Sequence, residues 1–450
     1  MKIAYVTAGT AGMYCGSCMN ANTLAAAMIA AGHDVALTPT YLTMRIDEEP
    51  VARDRIFFGA LNVYLQQKLP LFRHTPWLVD RLLDRPLLLR WLGKWSGRAD
   101  TADVGALTLS MLKGESGRQA KELEKLVRWL ARDYRPDVVH LSFAFFLGFA
   151  RRIKEALDVP IVCSVQGEEI MLDEIPQPFR REIVAEMRRR AADADLFVAP
   201  CAAYGDFMRR LLALPPEAMR VAHLGIAADD YAARPLPDAP AQPAGPITIG
   251  YLARICPEKG LHQLVEAFRL LAAEHGPDNL RLRIAGYLGP RDRPYVAGLR
   301  RQLDDQGLTP RVDWVGEVDR RAKVAFLHSL DLFSVPTVYR EPKGIFLLEA
   351  QAAGVPVVEP RHGAFPELLA KTGGGLLVEP GDPAALAAGL GSLIDDPRRR
   401  LELARRGRAG VLEHFTARAA AERTLALYRS LLDRPSRKRR PAAEAAPTGV

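Results

Sequence analysis

Short apolar runs alternate along this chain with longer segments whose apolar residues return every third or fourth position. Residues 2–7, 33–37, 137–140, 160–165, 196–199 and 220–222 are such runs in the first half. Residues 247–252, 280–285, 312–315, 332–335 and 355–358 are their counterparts in the second. Runs this short and apolar predict buried strands. Between them, helical spacing predicts helices over 20–31, 119–132, 180–192, 261–273, 294–306, 321–329 and 345–353, then over 384–394, 397–413 and 416–433. Alternation of strand and helix predicts the α/β class, with parallel sheets covered by helices on both faces. The rhythm breaks at 42–118, which has no regular pattern, and at 232–246, which holds five prolines. The chain therefore divides into a first domain at 1–231 with an irregular, helical insertion at 42–118, a linker at 232–246 and a second domain at 247–415. A last helix at 416–434 and a Pro/Ala-rich tail at 435–450 follow. The tail carries Arg437, Lys438, Arg439 and Arg440 and is expected to be disordered.

Within the insertion, Asn62 to Gln67 is a polar-aromatic stretch suited to face a substrate. From Lys68 to Trp95, leucines and Trp77, Trp91 and Trp95 are mixed with Arg and Lys, as in amphipathic helices. These helices make either a lid or membrane-surface patch, or a pair packed on the first domain. Asp80 and Asp84 interrupt the basic face and favour the second reading. The Arg-rich helix at 180–192 reads as a solvated face.

With 450 residues, 48% of them hydrophobic, the chain can form two domains with their own cores. No apolar run reaches 18 residues, so no membrane-spanning helix is expected. The N-terminus reads as a strand rather than a signal peptide. Cys15, Cys18, Cys163, Cys201 and Cys256 are an odd, sparse set, which points to reduced thiols and the cytoplasm. Cys15 and Cys18 form a C-x-x-C pair at the first turn, read chiefly as small residues lining a tight turn. The net charge of +8 favours polyanions or an anionic membrane face. No zinc-finger spacing or RNA-binding aromatic signature accompanies it, so nucleic acid is not expected as a partner.

Candidate chemistry gathers in the second half. Glu341 stands in a polar loop, Gly344 and Ile345 open a helix, and Glu349 follows on its first turns. A helix N-terminus offers free amides and partial positive charge, a seat for phosphate. Ionised carboxylates only accept hydrogen bonds, which suits hydroxyl groups. Taken alone, two solvated glutamates flanking an ordinary helix start would look the same. Earlier, Arg254 and Lys259 lie in the loop after the strand at 247–252, where open α/β sheets bind ligands, and two fixed cations there suit a diphosphate.

Together these stretches resemble the retaining glycosyltransferases of family 4, which have the GT-B fold. The resemblance rests on the R-x(4)-KG loop at Arg254 and Lys259, the E-x7-E pair Glu341 and Glu349, the helix end at Ala352 to Val358, and the turn from Gly363 to Glu367. It spans roughly residues 220 to 430. It implies two Rossmann-like domains with the active site in the cleft between them, and a last helix crossing back onto the first domain. It implies a nucleotide-diphosphate sugar as donor, with Arg254 and Lys259 on the diphosphate, Glu349 on the ribose, Glu341 on the sugar, and Gly16 closing the cleft from the first domain. No cofactor or metal is expected, since two cationic side chains take that place. The acceptor is expected to be a hydroxyl on a glycan or lipid-linked molecule, with the protein in the cytoplasm or peripheral at the inner membrane face. Gln166 departs from the family's pattern, which commonly has a histidine after this strand. Glutamine cannot act as an acid or base near neutral pH, so attention shifts to Glu168, Glu169 and His140. His140 is equally a satisfied strand-end histidine. A sugar-nucleotide-binding protein of the same fold without transferase activity is the alternative. The glycine-rich first turn matches neither a dinucleotide fingerprint nor a P-loop, which argues against an NAD-dependent oxidoreductase.

Overall fold

The computed structural model describes residues 1–9, 16–42, 44–53, 57–73, 101–240 and 245–433. Strands β1 (Lys2–Thr7), β2 (Asp34–Pro39), β3 (Val138–Leu141), β4 (Ile161–Ser164), β5 (Leu196–Ala199) and β6 (Met219–Val221) form one parallel sheet, ordered β2-β1-β3-β4-β5-β6. Strands β7 (Ile247–Leu252), β8 (Leu280–Ala285), β9 (Val312–Gly316), β10 (Leu332–Phe333), β11 (Val357–Pro360) and β12 (Gly375–Val378) form a second, ordered β12-β11-β10-β7-β8-β9. Every residue of β3 and β5 is buried, the signature of a parallel sheet covered on both faces. In both sheets the chain order reverses beside the first strand, which opens a crevice at the strands' C-terminal ends.

The helix Ala417–Leu432 packs on the helix Gly16–Ala30. Ala420, Ala421, Leu425, Tyr428 and Leu431 join Ile3, Tyr5, Ala21, Ala25 and Met28 in one apolar cluster. The last helix thus covers one face of the first sheet.

Three local expectations change. The first helix begins at Gly16 rather than near Asn20, because the small residues Gly16 and Ser17 already adopt helical geometry. The strand expected at 355–358 begins at Val357. Pro356 has no N–H to give the ladder, so pairing starts where the Val357 amide meets the Gly374 carbonyl at 3.2 Å. The Arg-rich helix, Phe179–Ala191, is not simply a solvated face. Arg190 is fully buried and its guanidinium reaches Glu115 at 2.9 Å, Glu186 at 3.1 Å and the Lys113 carbonyl. Burying a guanidinium is tolerated because its donors are met by two carboxylates and a carbonyl.

Residues 74–100 with Trp77, Trp91 and Trp95, residues 241–244 of the linker, Cys15 and the tail from 434 lie outside the described residues. Cys18 is buried. Among the described residues no helix is long and apolar enough to cross a membrane.

Candidate active site

The loop Pro336–Lys343 leaves β10 and turns into the helix Ile345–Ala352 through Gly344, whose φ of +63° only glycine holds without strain. A Cβ there would come within 2.6 Å of Leu368. Glu341 is 2% exposed and sits under this turn. One carboxylate oxygen accepts from the backbone amides of Lys343 at 3.1 Å and Gly344 at 3.3 Å. The other accepts from Lys259 Nζ at 2.5 Å and from the Tyr339 hydroxyl. Burial alone would push the Glu341 carboxyl up, but Lys259 and Lys343 outweigh it and hold it down at about 2. Glu341 is therefore an anion at neutral pH, bonded to the two amides that lead into the helix. The next amides, Ile345 and Phe346, find no carbonyl among the described residues and stay available to an anion.

Lys259 approaches from the loop after β7. Its ammonium also bonds the Tyr339 hydroxyl at 2.7 Å and lies 5.2 Å from the Phe346 ring centre. Arg254, on the same loop, is half-exposed, and its nearest carboxylate is Glu258 at 4.0 Å. One cation is thus fixed by Glu341 and the other is held loosely, free to pair with an arriving anion.

Glu349, one turn further along the helix, is 5% exposed. Its Oε1 accepts from Lys323 Nζ at 2.6 Å and from the Tyr231 hydroxyl at 2.8 Å. Lys323 also meets Asp47 of the first domain at 2.5 Å. Arg320 stacks on Tyr231 at 4.2 Å and pairs with Asp230 at 2.7 Å. Reading the sequence did not single out Lys323, Tyr231, Arg320 or Asp47. A signal for Lys323 existed: it shares the buried stripe of the helix Arg320–His328 with Phe326 and Leu327, an unusual place for a lysine.

From the other side, the Lys343 ammonium spans the cleft. It donates to Ser17 Oγ and to the Gln166 carbonyl, each at 3.0 Å. A Cβ at Gly16 would stand 3.9 Å from that ammonium. Gly16, Gln166 and the Glu341 loop therefore meet at one place. Gln166 is buried, its side-chain amide bonds the Ser142 carbonyl at 2.7 Å, and its Oε1 has no partner among the described residues.

The remaining site expectations move. Glu168 is fully buried and accepts from the amides of Ala144, Gln166 and Gly167 and from the Tyr204 hydroxyl. Burial raises its pKa; it pins the loop rather than facing the cleft. His140 is buried as well, stacked on Tyr5 at 4.4 Å and bonded to Ser164 Oγ at 2.7 Å and to the Tyr428 hydroxyl of the last helix. Burial lowers its pKa to about 3, so it is a neutral strut. Asn62 does not face a substrate: it is fully buried and donates to Glu122 at 2.9 Å beside Gln66, because Glu122 needs buried donors. Glu169 is only partly buried and lines a cavity of about 800 Å³ between the domains, with Tyr204, Phe207, Tyr339, Arg340 and Arg361. The Asp-x-Asp triplet Asp193–Asp195 has its carboxylates paired with Arg151 and Lys154.

Comparison with known proteins matches residues 235–410 to the glycosyl transferases group 1 model and residues 106–230 to the glycosyltransferase family 4 model. The chain belongs to the family 4 glycosyltransferases. It is 29% identical over 304 residues to a glycogen synthase of Mycobacterium tuberculosis, covering 66% of this chain and 69% of that one. It is 29% identical over 322 residues to a D-inositol 3-phosphate glycosyltransferase of Xylanimonas cellulosilytica, covering 68% of this chain and 73% of that one. In fold it is similar to Anabaena HepE, crystallised with UDP, at a TM-score of 0.66 and 18% identity over 96% of this chain and all of that one. It is similar also to a sucrose-phosphate synthase from Thermosynechococcus elongatus, at a TM-score of 0.65 and 18% identity over 96% and 99%. The two sheets are the two Rossmann-like halves of a GT-B glycosyltransferase that uses a nucleotide sugar.

Proposed function

We propose that this glycosyltransferase transfers a sugar from a uridine diphosphate sugar to an acceptor hydroxyl with retention of anomeric configuration. The observation that carries the reading is the set of cations and amides at one helix start: Arg254, Lys259, and the free amides of Ile345 and Phe346. Negative charge grows on the diphosphate as the anomeric carbon–oxygen bond breaks. Donors fixed around that oxygen therefore stabilise the transition state more than the ground state. The acceptor oxygen bonds to the anomeric carbon from the face the diphosphate leaves, and its proton passes to the departing phosphate oxygen. Glu341 is the sugar-side carboxylate and Glu349 the ribose-side one. Glu341 acts as an anchor for Lys259 and a hydrogen-bond acceptor, since a carboxyl held near 2 is a poor base. In this reading the two cations do the work otherwise given to a metal ion. Uridine is supported by Anabaena HepE, whose structures hold UDP and UDP-glucose.

The acceptor enters by the cavity beside Tyr339. Its mixed walls, Phe207 against Arg340 and Arg361, suit a glycan or lipid-linked acceptor more than a small polar sugar. The chain's net charge of +8 supports a peripheral contact with an anionic membrane face.

The test is to incubate the protein with UDP-glucose and a set of sugar and lipid-linked acceptors and follow the product's anomeric proton by NMR from the first minutes. An α-linked product from the α-linked donor is the expected result. A β-linked product would overturn retention, and donor bound but never turned over would assign a binding protein of the same fold.

A further inference from the structure

Asp47 belongs to the first domain, on the loop that follows β2. It is not among the residues through which the reading above engages the donor. Its side chain is 4% exposed, and Oδ2 meets Lys323 Nζ at 2.5 Å. Its other oxygen, Oδ1, is buried and has no hydrogen-bond partner among the described residues. On the opposite side of the same ammonium stands Glu349, whose Oε1 is taken by Lys323 and Tyr231. Glu349 Oε2 carries no hydrogen bond among the described residues. Two buried carboxylates thus share one buried ammonium, and each keeps one unused acceptor oxygen. The cluster has an excess negative charge and lacks donors. Leaving a buried acceptor unmet is unfavourable, and an ionised carboxylate can be satisfied only by O–H or N–H groups.

A vicinal diol supplies two O–H donors on neighbouring carbons. The loop that carries Asp47 is fixed to receive one. Arg45 pairs with Glu317 of the second domain at 2.9 Å. Glu48 accepts from Thr23 Oγ1 at 2.8 Å in the first helix and lies 3.9 Å from Arg320. These ties hold Asp47 against the second domain without using its Oδ1.

We propose that Asp47 is a donor-binding residue. With Glu349 it accepts the two ribose hydroxyls of the nucleotide, so that the cleft requires a ribonucleotide and closes over it from the first domain. This rests on Glu349 being the ribose-side carboxylate.

The test measures dissociation constants of UDP, GDP and ADP, each beside its 2′-deoxy and 3′-deoxy forms, on the full chain by calorimetry. A hydrogen bond to a charged group corresponds to roughly 10- to 100-fold in affinity. The wild type is expected to prefer the ribonucleotide over at least one deoxy form by about that factor. Asp47→Asn is expected to shrink that ratio to within about threefold, chiefly through weaker binding of the ribonucleotide. Arg45→Ala, which removes the part-exposed pair with Glu317, is expected to lower the ratio in the same direction. An unchanged ratio in both variants overturns the proposal, as does tighter ribonucleotide binding in Asp47→Asn, which would make Asp47 a competitor for the site. Glu349→Gln separates the two readings. If it abolishes the ribonucleotide preference while Asp47→Asn does not, the donor reading stands and this one falls. No binding of any nucleotide by the wild type overturns both.

Discussion

The two ends of the cleft proposed to hold the diphosphate and the ribose are built by opposite means. At the first, Arg254 and Lys259 lie on one loop, and Glu341, Lys343 and Gly344 lie on another. Most of the contacts there are made within or between these two stretches. At the ribose end, Glu349 depends on Lys323, Tyr231 and, through Lys323, on Asp47 from the other domain. The first arrangement lies mostly within the second domain, with the Lys343 ammonium reaching Ser17 and Gln166 of the first. The second is complete only when the domains meet. In the proposed reading, the cations for the leaving group are preset on two loops of the second domain, while the groups for the nucleoside draw on both domains.

Substitutions separate the two ends. Arg254→Ala removes a half-exposed cation with one distant carboxylate. Turnover is expected to fall on the order of 100- to 1000-fold, the size of losing one fixed donor to a leaving group, with folding stability changed by under about 0.5 kcal/mol. Steady-state kinetics and urea unfolding of the same sample check both halves. Lys323→Met leaves Asp47 and Glu349 buried without their cation. That is expected to cost about 3–5 kcal/mol of stability, seen as a lower urea midpoint. If the loss is under about 1 kcal/mol, the ribose end is not held by this ammonium.

Acid acts on two struts. His140 has its pKa lowered to about 3 by burial, so the folded state resists a proton that the unfolded chain takes up near 6.5. Its contribution is present above pH 6.5 and is lost as pH falls from there toward about 3. The expected slope is about 1.4 kcal/mol per pH unit over that window. Urea midpoints at pH 7 and pH 5 are expected to lie closer together in His140→Asn than in the wild type. Glu341, held at about 2 against an ordinary 4.5, loses its contribution lower down, as pH falls from about 4.5 to about 2. The smallest effect is expected at Glu258, part-exposed and 4.0 Å from Arg254. Glu258→Gln is expected to shift stability by no more than about 0.5 kcal/mol.

What could be read from the sequence follows the same division. Strand and helix order came through because each buried strand is a continuous apolar run, and Leu196–Ala199 matches its run residue for residue. Arg254, Lys259, Glu341 and Gly344 were visible because a strand–loop–helix unit writes its anion seat into adjacent residues. Asp47 and Tyr231 were not, since their partners are far away in the chain and nothing local marks either. Asn62 and His140 misled for the reverse reason. A polar residue in an apolar neighbourhood looks like chemistry until its partner is known, here Glu122 for the one and Ser164 and Tyr428 for the other. Gln166 holds its place at the cleft, but through its backbone carbonyl.

The most direct measurement is release of nucleoside diphosphate from UDP-, GDP- and ADP-sugars, with wild type, Arg254→Ala and Glu349→Ala run side by side. Release from one donor, abolished by Arg254→Ala and carried to a far higher donor KM by Glu349→Ala, is the expected result. Full release with either variant would contradict the claim that these two ends of the cleft hold the donor.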